Sequence, residues 1–283
     1  MDVKKVRGFI LQASYRILPR PGGERTPVIH IYGRLADGAT FLVRDDRQSP
    51  HFYIRASDAE RARALRAHPS APLDKRTFGR APVCSIAAET PGDIPAIRDR
   101  LHAAGIDTFE ADVRFAMRYL IERGIKGGCE IEGEAKPGVG LTWVFDNPIL
   151  RAAHVKIAPR VLSFDIETDS KGERLLAISM FAAATDGSPS IDEVLIVDGS
   201  DRAMPERATR CPDEFAALDA FTDRVRRLDP DVLTGWNLID FDLTALQRIA
   251  GRVRHPFDIG RDTGPIRLRK PCLLYTSPSP RDS

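Results

Sequence analysis

Residues 161–169 read Val-Leu-Ser-Phe-Asp-Ile-Glu-Thr-Asp, an apolar run into which acids are set. The apolar members are aliphatic, aromatic or β-branched, so the run predicts a buried strand over 161–167. Asp165 and Glu167 lie two positions apart, and their side chains therefore leave the same face of that strand. Neighbouring carboxylates in an apolar strand repel each other, and a divalent cation that prefers hard oxygen ligands would offset the repulsion. The alternative is a solvated strand face, where acids are more common.

A second stretch, residues 229–246, reads Asp-Pro-Asp-Val-Leu-Thr-Gly-Trp-Asn-Leu-Ile-Asp-Phe-Asp-Leu-Thr-Ala-Leu. Its pattern predicts a strand over 232–236, a turn, and a helix over 242–250. Asp242 then lies in the first turn of a helix that follows a strand, which is where α/β sheets place ligand-binding residues. This second stretch favours a metal site over a solvated face for the acids of the first.

The two stretches resemble motifs of one protein family. Phe-Asp-Ile-Glu-Thr at 164–168 and Gly-Trp-Asn-Leu-Ile-Asp-Phe-Asp at 235–242 are similar to the first and second exonuclease motifs of family B DNA polymerases. Within the family, the motifs resemble those of the bacterial DNA polymerase II subgroup. Residues 110–123 resemble the segment that precedes the exonuclease domain in this family, and the resemblance extends to about Arg269.

The resemblance implies a 3′–5′ proofreading exonuclease that hydrolyses the 3′-terminal phosphodiester with two Mg²⁺ or Mn²⁺ ions. The matching metal ligands and catalytic residues are Asp165, Glu167 and Asp242. On family grounds, Asp165 would contact both ions, Glu167 would hold one ion and the attacking water, and Asp242 would hold the second ion.

Three further residues are candidates for substrate binding. Asn237 would hydrogen-bond the substrate strand, or would serve the turn at the strand end. Phe241 would stack on a base, although its spacing favours a place in the core. Thr168 would approach the terminal nucleotide, as the resemblance implies. Trp236 is predicted to lie in the core.

The parent protein that the resemblance implies is a DNA-directed DNA polymerase of DNA replication and repair. Its partners would be DNA, both a single-stranded 3′ end and a primer–template, together with deoxynucleotides and a sliding clamp. Neither Asp-x-x-Ser-Leu-Tyr-Pro nor Asp-Thr-Asp occurs in the 283 residues. The polymerase domain is therefore predicted to be absent, with this chain as the front part of the parent.

The third exonuclease motif of the family, a Tyr followed four residues later by an Asp, has no match after Asp242. Tyr275 is followed at that offset by Ser279. The chain alone is therefore expected to have weak nuclease activity or none. Two other functions stay open: a free-standing ribonuclease-H-like exonuclease, and a DNA-binding module that does no chemistry.

The fold class predicted from the order of elements is α/β, or α+β, in two domains and a tail. Residues 1–150 have several short strand patterns with turn signals and predict a smaller β-rich N-terminal domain. Residues 151–270 predict an incomplete ribonuclease-H-like exonuclease domain with a mixed sheet, in the order β-β-β-α-β-α. Residues 271–283 have no periodicity and read as adapter read-through, a non-native tail.

Composition and charge set broad limits on the protein. The chain is 42% hydrophobic and 29% charged with a net charge of +2, which is ordinary for a globular protein and does not by itself indicate a nucleic-acid binder. Four scattered cysteines indicate neither a zinc site nor a disulfide framework. No apolar run approaches the length of a membrane span. We expect a cytoplasmic protein without membrane association.

Several local expectations bear on the fold. Asp213 is a predicted N-cap for the helix that follows it, and Ser57 is one for a helix reaching Arg66. Asp37-Gly38 predicts a hairpin turn. Residues 124–140 predict a loop or an exposed hairpin, and residues 198–210 a polar loop.

Overall fold

The computed structural model describes residues 3–19, 22–23, 25–184, 190–261, 266 and 268. The chain divides into two compact units, Met1–Ile157 and Ala158–Ser283. The first unit is the longer one, so its prediction as the smaller domain is wrong. The predicted tail at 271–283 lies outside the described residues, and with it Tyr275 and Ser279. No helix in the described part of the chain is long and apolar enough to cross a membrane.

Strands dominate the described part of the first unit. They are β1 (Val3–Pro19), β2 (Arg25–Leu35), β3 (Thr40–Asp45), β4 (His51–Arg55), β5 (Val83–Ala87), β6 (Thr108–Phe109), β7 (Gly128–Pro137), β8 (Trp143–Asp146) and β9 (Ile149–Ala152). The helices between them are α1 (Ala59–Ala64), α2 (Ile94–Ala103) and α3 (Phe115–Glu122).

Six strands of the first unit pair in the order β1-β2-β3-β8-β7-β9. Because β1 pairs with β7 as well as with β2, the pairings of β1, β2, β3, β8 and β7 form a closed ring. The β2–β3 pair is antiparallel around the turn at Gly38, whose φ of 88° favours glycine, so the hairpin prediction is confirmed. Phe41 and Phe145 are fully buried in the core beneath this sheet.

A smaller sheet in the same unit pairs in the order β5-β4-β6, with β4 antiparallel to both neighbours. Helices α1 and α2 contribute Ala62 and Leu101 to its separate core. Helix α2 ends at Ala103, and Gly105 follows with a φ of 69° in the left-handed conformation that terminates helices.

The second unit is a mixed sheet with two helices among its described residues. Its elements are β10 (Val161–Thr168), β11 (Leu175–Ala182), β12 (Ile191–Val197), β13 (Ala208–Cys211), α4 (Glu214–Leu228), β14 (Val232–Thr234) and α5 (Leu243–Val253). The strand order is β13-β12-β11-β10-β14, with β10, β11 and β12 antiparallel in succession and the two outer pairs parallel. This mixed α/β architecture is the fold class that the sequence predicts.

Packing of the second unit follows the sequence pattern closely. Asp213 caps α4 by accepting a hydrogen bond from the Ala216 N–H at 2.8 Å, which confirms the predicted N-cap. Phe221 of α4 packs edge-on against Phe164 of β10, with 4.9 Å between ring centroids. Alternate residues of β10 therefore face the helices, and the strand is buried on one face.

Three local predictions differ from the structure. Residues 124–140 contain β7, which pairs antiparallel with β8 as a hairpin would, but Cys129 and Ile131 are fully buried, so the hairpin is not an exposed one. The predicted polar loop at 198–210 is wrong at its end, because β13 begins at Ala208 and pairs with β12. Ser57 lies within a short 3-10 turn at Ala56–Asp58 and is not a cap, because α1 begins at Ala59.

Candidate metal and strand-binding site

The two acids of β10 share the face of the strand that does not enter the core. Asp165 and Glu167 are exposed, whereas Phe164 and Ile166, which alternate with them along the strand, are buried on its other face. The prediction of a buried strand therefore holds for one face only. Solvent access lowers the cost of carrying two acids there and leaves their oxygens available to a cation.

Gly235 sets the position of the chain that follows β14. Strand β14 runs parallel to β10, with Ser163 paired to Thr234. A Cβ at residue 235 would lie 2.4 Å from the Phe164 carbonyl oxygen, so only glycine allows this close approach of the two backbones. The chain leaves the sheet directly beside the acids of β10.

A π-helical turn carries Asp242 back to β10. Asn237 adopts the left-handed conformation with a φ of 53°, and its carbonyl accepts the Phe241 N–H at 3.0 Å. Residues Leu238–Asp242 form the π-helical turn, which leads directly into α5. Such turns are rare and frequently occur at functional sites.

Asp242 is buried, with 1% of its surface accessible. Its Oδ1 accepts a hydrogen bond from the Ile166 N–H at 3.2 Å, which holds the carboxylate between the positions of Asp165 and Glu167 on the strand. Burial raises the pKa of Asp242, the negative charge of Asp165 raises it further, and the hydrogen bond from Ile166 opposes both. The negative charge of Asp165 is therefore close enough to act on the carboxyl group of Asp242.

The carboxylate oxygens are of the chemical type that a hard divalent cation prefers. Their arrangement in the structure does not form a complete set of metal ligands. A cation would offset the burial and like-charge repulsion that raise the pKa of Asp242. Among the described residues, however, no group of three or more His, Cys, Asp or Glu side chains is arranged to hold a metal ion. The structure brings Asp242 to β10 beside Asp165, and it does not gather Glu167 with them into one coordination group.

A cleft of about 330 Å³ brings two of the three substrate-binding candidates together. Its lining includes Thr168, Lys171, Phe241, Thr244 and Arg248. Thr168 is half-buried, and its hydroxyl donates to the Asp169 carbonyl at 3.2 Å.

The two aromatic residues of the second motif are more exposed than predicted. Phe241 is 43% exposed and Trp236 is 85% exposed, so the prediction of a core position is wrong for both. Asn237 is also exposed, and its side chain makes no capping hydrogen bond. Its backbone conformation serves the turn, and its amide is left facing solvent.

Lys171 and Arg248 are cleft residues that were not singled out from the sequence. Arg248 donates a hydrogen bond to the Gly172 carbonyl, which ties α5 to the turn after β10. The available signal was helical spacing, because residues 241, 244 and 248 follow the i, i+3, i+7 pattern that places side chains on one helix face.

A second tie fixes the same turn. Glu214 at the start of α4 accepts the Leu175 N–H at 2.7 Å and pairs with Arg252 of α5, also at 2.7 Å. Arg252 donates in addition to the Glu173 carbonyl at 3.2 Å. The turn between β10 and β11 is therefore held by both helices of the unit.

Comparison with known proteins gives one consistent result. The family model described as DNA polymerase family B, exonuclease domain, matches residues 106–268. DNA polymerase II of Escherichia coli is 28% identical over 93% of this chain and 32% of its own length. A DNA polymerase of Archaeoglobus fulgidus is 26% identical over 94% of this chain and 33% of its own length.

A solved structure gives the same result at the level of the fold. The family B DNA polymerase of the hyperthermophilic archaeon Pyrobaculum calidifontis superposes with a TM-score of 0.68 and 25% identity. The match covers 92% of this chain and 34% of that one. The chain thus spans about a third of the length of these relatives.

Proposed function

The chain belongs to DNA polymerase family B through the exonuclease domain of that family, and from this premise we propose that it carries the 3′–5′ proofreading nuclease of a DNA polymerase. Its substrate would be the 3′ end of single-stranded DNA. The observation that carries the proposal is the buried Asp242, whose Oδ1 is hydrogen-bonded to β10 at Ile166, next to Asp165. The proposal for the longer parent adds DNA-directed polymerisation, with primer–template, deoxynucleotides and a sliding clamp as partners.

In this proposal Asp165, Glu167 and Asp242 would hold two Mg²⁺ or Mn²⁺ ions. Such ions supply positive charge that activates water and stabilises the leaving oxygen of a phosphodiester. Asp242 contributes a carboxylate whose pKa is raised by burial and by Asp165, so a nearby positive charge favours its ionised form. Glu167 would join the set by a change of side-chain rotamer on the exposed face of β10.

The cleft beside the acids supplies groups that suit the end of a DNA strand. The exposed ring of Phe241 offers a stacking surface, and Thr168 offers a hydroxyl. Lys171 and Arg248 provide positive charge for phosphates, and Asp169 and Asp240 of the same lining offset part of it. Asn237 would contribute its exposed amide to the strand, while its backbone maintains the turn.

A second candidate is a DNA-binding module that performs no hydrolysis. One observation favours it, namely that the described residues contain no ready group of three metal ligands. The two candidates share the cleft and differ in whether a divalent ion binds at Asp165 and Asp242.

The test measures Mn²⁺ binding by electron paramagnetic resonance and the shortening of 5′-labelled single-stranded DNA in the same preparations. For the 283-residue chain we expect Mn²⁺ binding and slow trimming from the 3′ end that stops in EDTA. Replacing a charged ligand removes transition-state stabilisation, so Asp165→Asn and Asp242→Asn should each slow trimming by about a hundredfold or more. Asp201→Asn, an exposed acid outside the site, is the matched control.

The outcomes separate the candidates. If Asp165→Asn and Asp242→Asn trim DNA as fast as the unmodified chain does, these two carboxylates take no part in the hydrolysis. DNA binding without Mn²⁺ binding and without trimming would favour the non-catalytic module.

A further inference from the structure

The hairpin formed by β10 and β11 contains a β-bulge directly beside Glu167. Glu167 pairs with Ala177 across the two strands. The next residue, Thr168, pairs with Leu175, so Leu176 is left over between the two pairs. A bulge bends its strand, and bulges next to active sites re-aim side chains. This bulge therefore sets the positions of a proposed metal ligand and of a proposed substrate-binding residue.

The burial of side chains along β11 shows the same shift. Ile178, Met180 and Ala182 are buried, and the alternation of a regular strand would bury residue 176 as well. Instead Leu176 is 45% exposed, and Leu175 is buried with 1% of its surface accessible. Because residues 175 and 176 are both leucine, a leucine fills the core position in the bulged pairing and in a regular one. The two side chains therefore do not decide between these pairings.

Glu214 contacts the backbone at the bulge. Its Oε1 accepts a hydrogen bond from the Leu175 N–H at 2.7 Å. Glu214 is the first residue of α4, and only 12% of its side chain is accessible. A regular pairing would exchange the places of Leu175 and Leu176 and would take this N–H away from a largely buried acceptor, which costs free energy. The carboxylate of Glu214 thus favours the bulged pairing.

Arg252 of α5 holds the Glu214 carboxylate in this position. Its Nη2 lies 2.7 Å from each carboxylate oxygen and also donates to the Glu173 carbonyl at 3.2 Å. Such charge-assisted hydrogen bonds are strong, and negative charge at the start of α4 is favourable in addition. Helix α5 begins directly after Asp242. The same contacts therefore join the helix that follows Asp242 to the hairpin that carries Glu167.

We propose that Glu214 is a positioning residue for the proposed nuclease: its carboxylate selects the bulged pairing of β10 with β11 and so fixes the positions of Glu167 and Thr168. This role depends on the proposed function, and Glu214 itself contacts neither DNA nor a metal ion in it. A glutamate that only stabilised the fold through Arg252 would act by its charge. A glutamate that selects the pairing acts by the reach of its acceptor oxygen to Leu175.

The experiment compares Glu214→Gln with Glu214→Asp in the 283-residue chain, with Mn²⁺ and 5′-labelled single-stranded DNA. Glutamine loses the charge but keeps an acceptor oxygen at the same reach, so its trimming rate should stay close to that of the unmodified chain. Aspartate keeps the charge but is one methylene shorter. Its trimming should be slower by about tenfold or more, as is usual when a partner that orients a metal ligand is lost.

Glu193→Asp is the matched control for the shortened side chain. Glu193 is another partly buried glutamate of the same unit, and it pairs with Arg224 at 3.0 Å. It lies on β12, which pairs with β11 and β13 and not with β10. Glu193→Asp should therefore trim DNA as fast as the unmodified chain.

A second substitution should restore the bulged pairing by a different route. Leu176→Gln disfavours the regular pairing, because that pairing would bury the amide in the core. The double variant Glu214→Asp/Leu176→Gln should therefore recover most of the trimming rate that Glu214→Asp loses. An exposed polar substitution would not repair a general loss of stability, so this recovery is specific to selection of the pairing. A double variant no faster than Glu214→Asp would overturn the proposal.

Amide hydrogen exchange followed by NMR in EDTA gives a readout that needs no hydrolysis. The Leu175 N–H should exchange slowly in the unmodified chain and in Glu214→Gln, and faster in Glu214→Asp. Fast exchange in the unmodified chain, or equal trimming by Glu214→Asp and the unmodified chain, would overturn the positioning role alone. No trimming by the unmodified chain would overturn the nuclease proposal and the positioning role with it.

Discussion

The carboxyl group of Asp242 lies almost completely out of solvent, within the field of Asp165. Burial and the like charge both favour its protonated form, and the hydrogen bond from Ile166 only partly compensates. A residue in this position destabilises the metal-free protein when it is ionised. Strain of this kind is common at functional sites, where the ligand that relieves it is part of the mechanism.

We predict that Asp242→Asn raises the free energy of unfolding of the metal-free chain at neutral pH. The amide oxygen can still accept the Ile166 N–H, while the buried charge is removed. Because the pKa of Asp242 is raised on folding, the folded protein binds its proton more tightly than the unfolded chain does. The loss of folding stability caused by ionised Asp242 is therefore absent below the usual aspartate pKa and fully present above the raised pKa of the folded protein.

Urea unfolding in EDTA across this pH range measures the effect. The free energy of unfolding of Asp242→Asn should exceed that of the unmodified chain by an amount that grows as pH rises from the usual aspartate pKa to the raised pKa. Above the raised pKa this difference should stay constant. Asp201→Asn should show no such growth. A less stable Asp242→Asn protein at neutral pH would contradict the prediction.

At the scale of residues, the sequence predicted the approach of Asp242 to the acids of β10, and it mispredicted the exposure of two aromatic side chains. Asp165, Glu167 and Asp242 were selected because acids are unusual within apolar patterns, and Asp242 does lie against β10. Trp236 and Phe241 were assigned to the core because large apolar side chains are usually buried. Their exposure follows from the left-handed Asn237 and the π-helical turn, and the sequence pattern contains no signal for that turn geometry.

At the scale of elements, the position of the candidate site depends on how closely β14 and β10 approach. Gly235 permits this contact, because any Cβ there would lie against the Phe164 carbonyl. The nearest atom, at 2.4 Å, is a backbone oxygen, which cannot move away as the end of a flexible side chain could. This contact determines where the following residues, from Trp236 to Asp242, lie.

Gly235→Ala should therefore destabilise the chain by about 1–3 kcal/mol, the usual cost of forcing extra volume into a packed region. It should also lower Mn²⁺ binding, since the turn that carries Asp242 must move. Gly251→Ala is the matched control, because its Cβ would meet no atom within 4 Å and its place is inside α5.

In a helix, alanine is favoured over glycine, so Gly251→Ala should be neutral or stabilising by up to about 1 kcal/mol. Urea unfolding of both variants tests the pair. If Gly235→Ala is as stable as the unmodified chain, the close approach of residue 235 to the Phe164 carbonyl does not require glycine.

Elements with clear periodicity were predictable, and those held by pairing alone were not. Helix α4 follows from its cap and its apolar spacing. Strand β7 was missed because glycines and acids alternate with its few buried residues, which resembles a solvated loop. Strand β13 has one buried residue, Cys211, and exists through its parallel pairing with β12. A single sequence does not reveal a long-range partner of that kind.

At the scale of the whole molecule, the chain forms two units that meet between Ile157 and Ala158 along the sequence. Each unit has buried clusters of its own, one built around Phe41 and Phe145 and another around Phe164 and Phe221. The sequence placed the boundary at 150/151 from composition and turn signals. We propose that each unit folds independently.

Residues 1–157 expressed alone should unfold in one cooperative urea transition. Trp143 is the single tryptophan of this segment and reports on it by fluorescence, whereas Trp236 of the second unit is already largely exposed. The fluorescence transition of the whole chain should therefore overlay that of the segment. A segment with no cooperative transition, or one with a clearly lower urea midpoint, would contradict independent folding.

The double attachment of the turn after β10 has a consequence for how a DNA end would enter. Arg248 and Arg252 of α5 hold the carbonyls of Gly172 and Glu173, and Glu214 joins α4 to the same turn. The turn after β10 and helix α5, which form two walls of the cleft, are therefore held together by these hydrogen bonds. In the proposed nuclease, a frayed 3′ terminus would therefore enter a preformed groove, and the rate of its capture would depend on how often the duplex end opens.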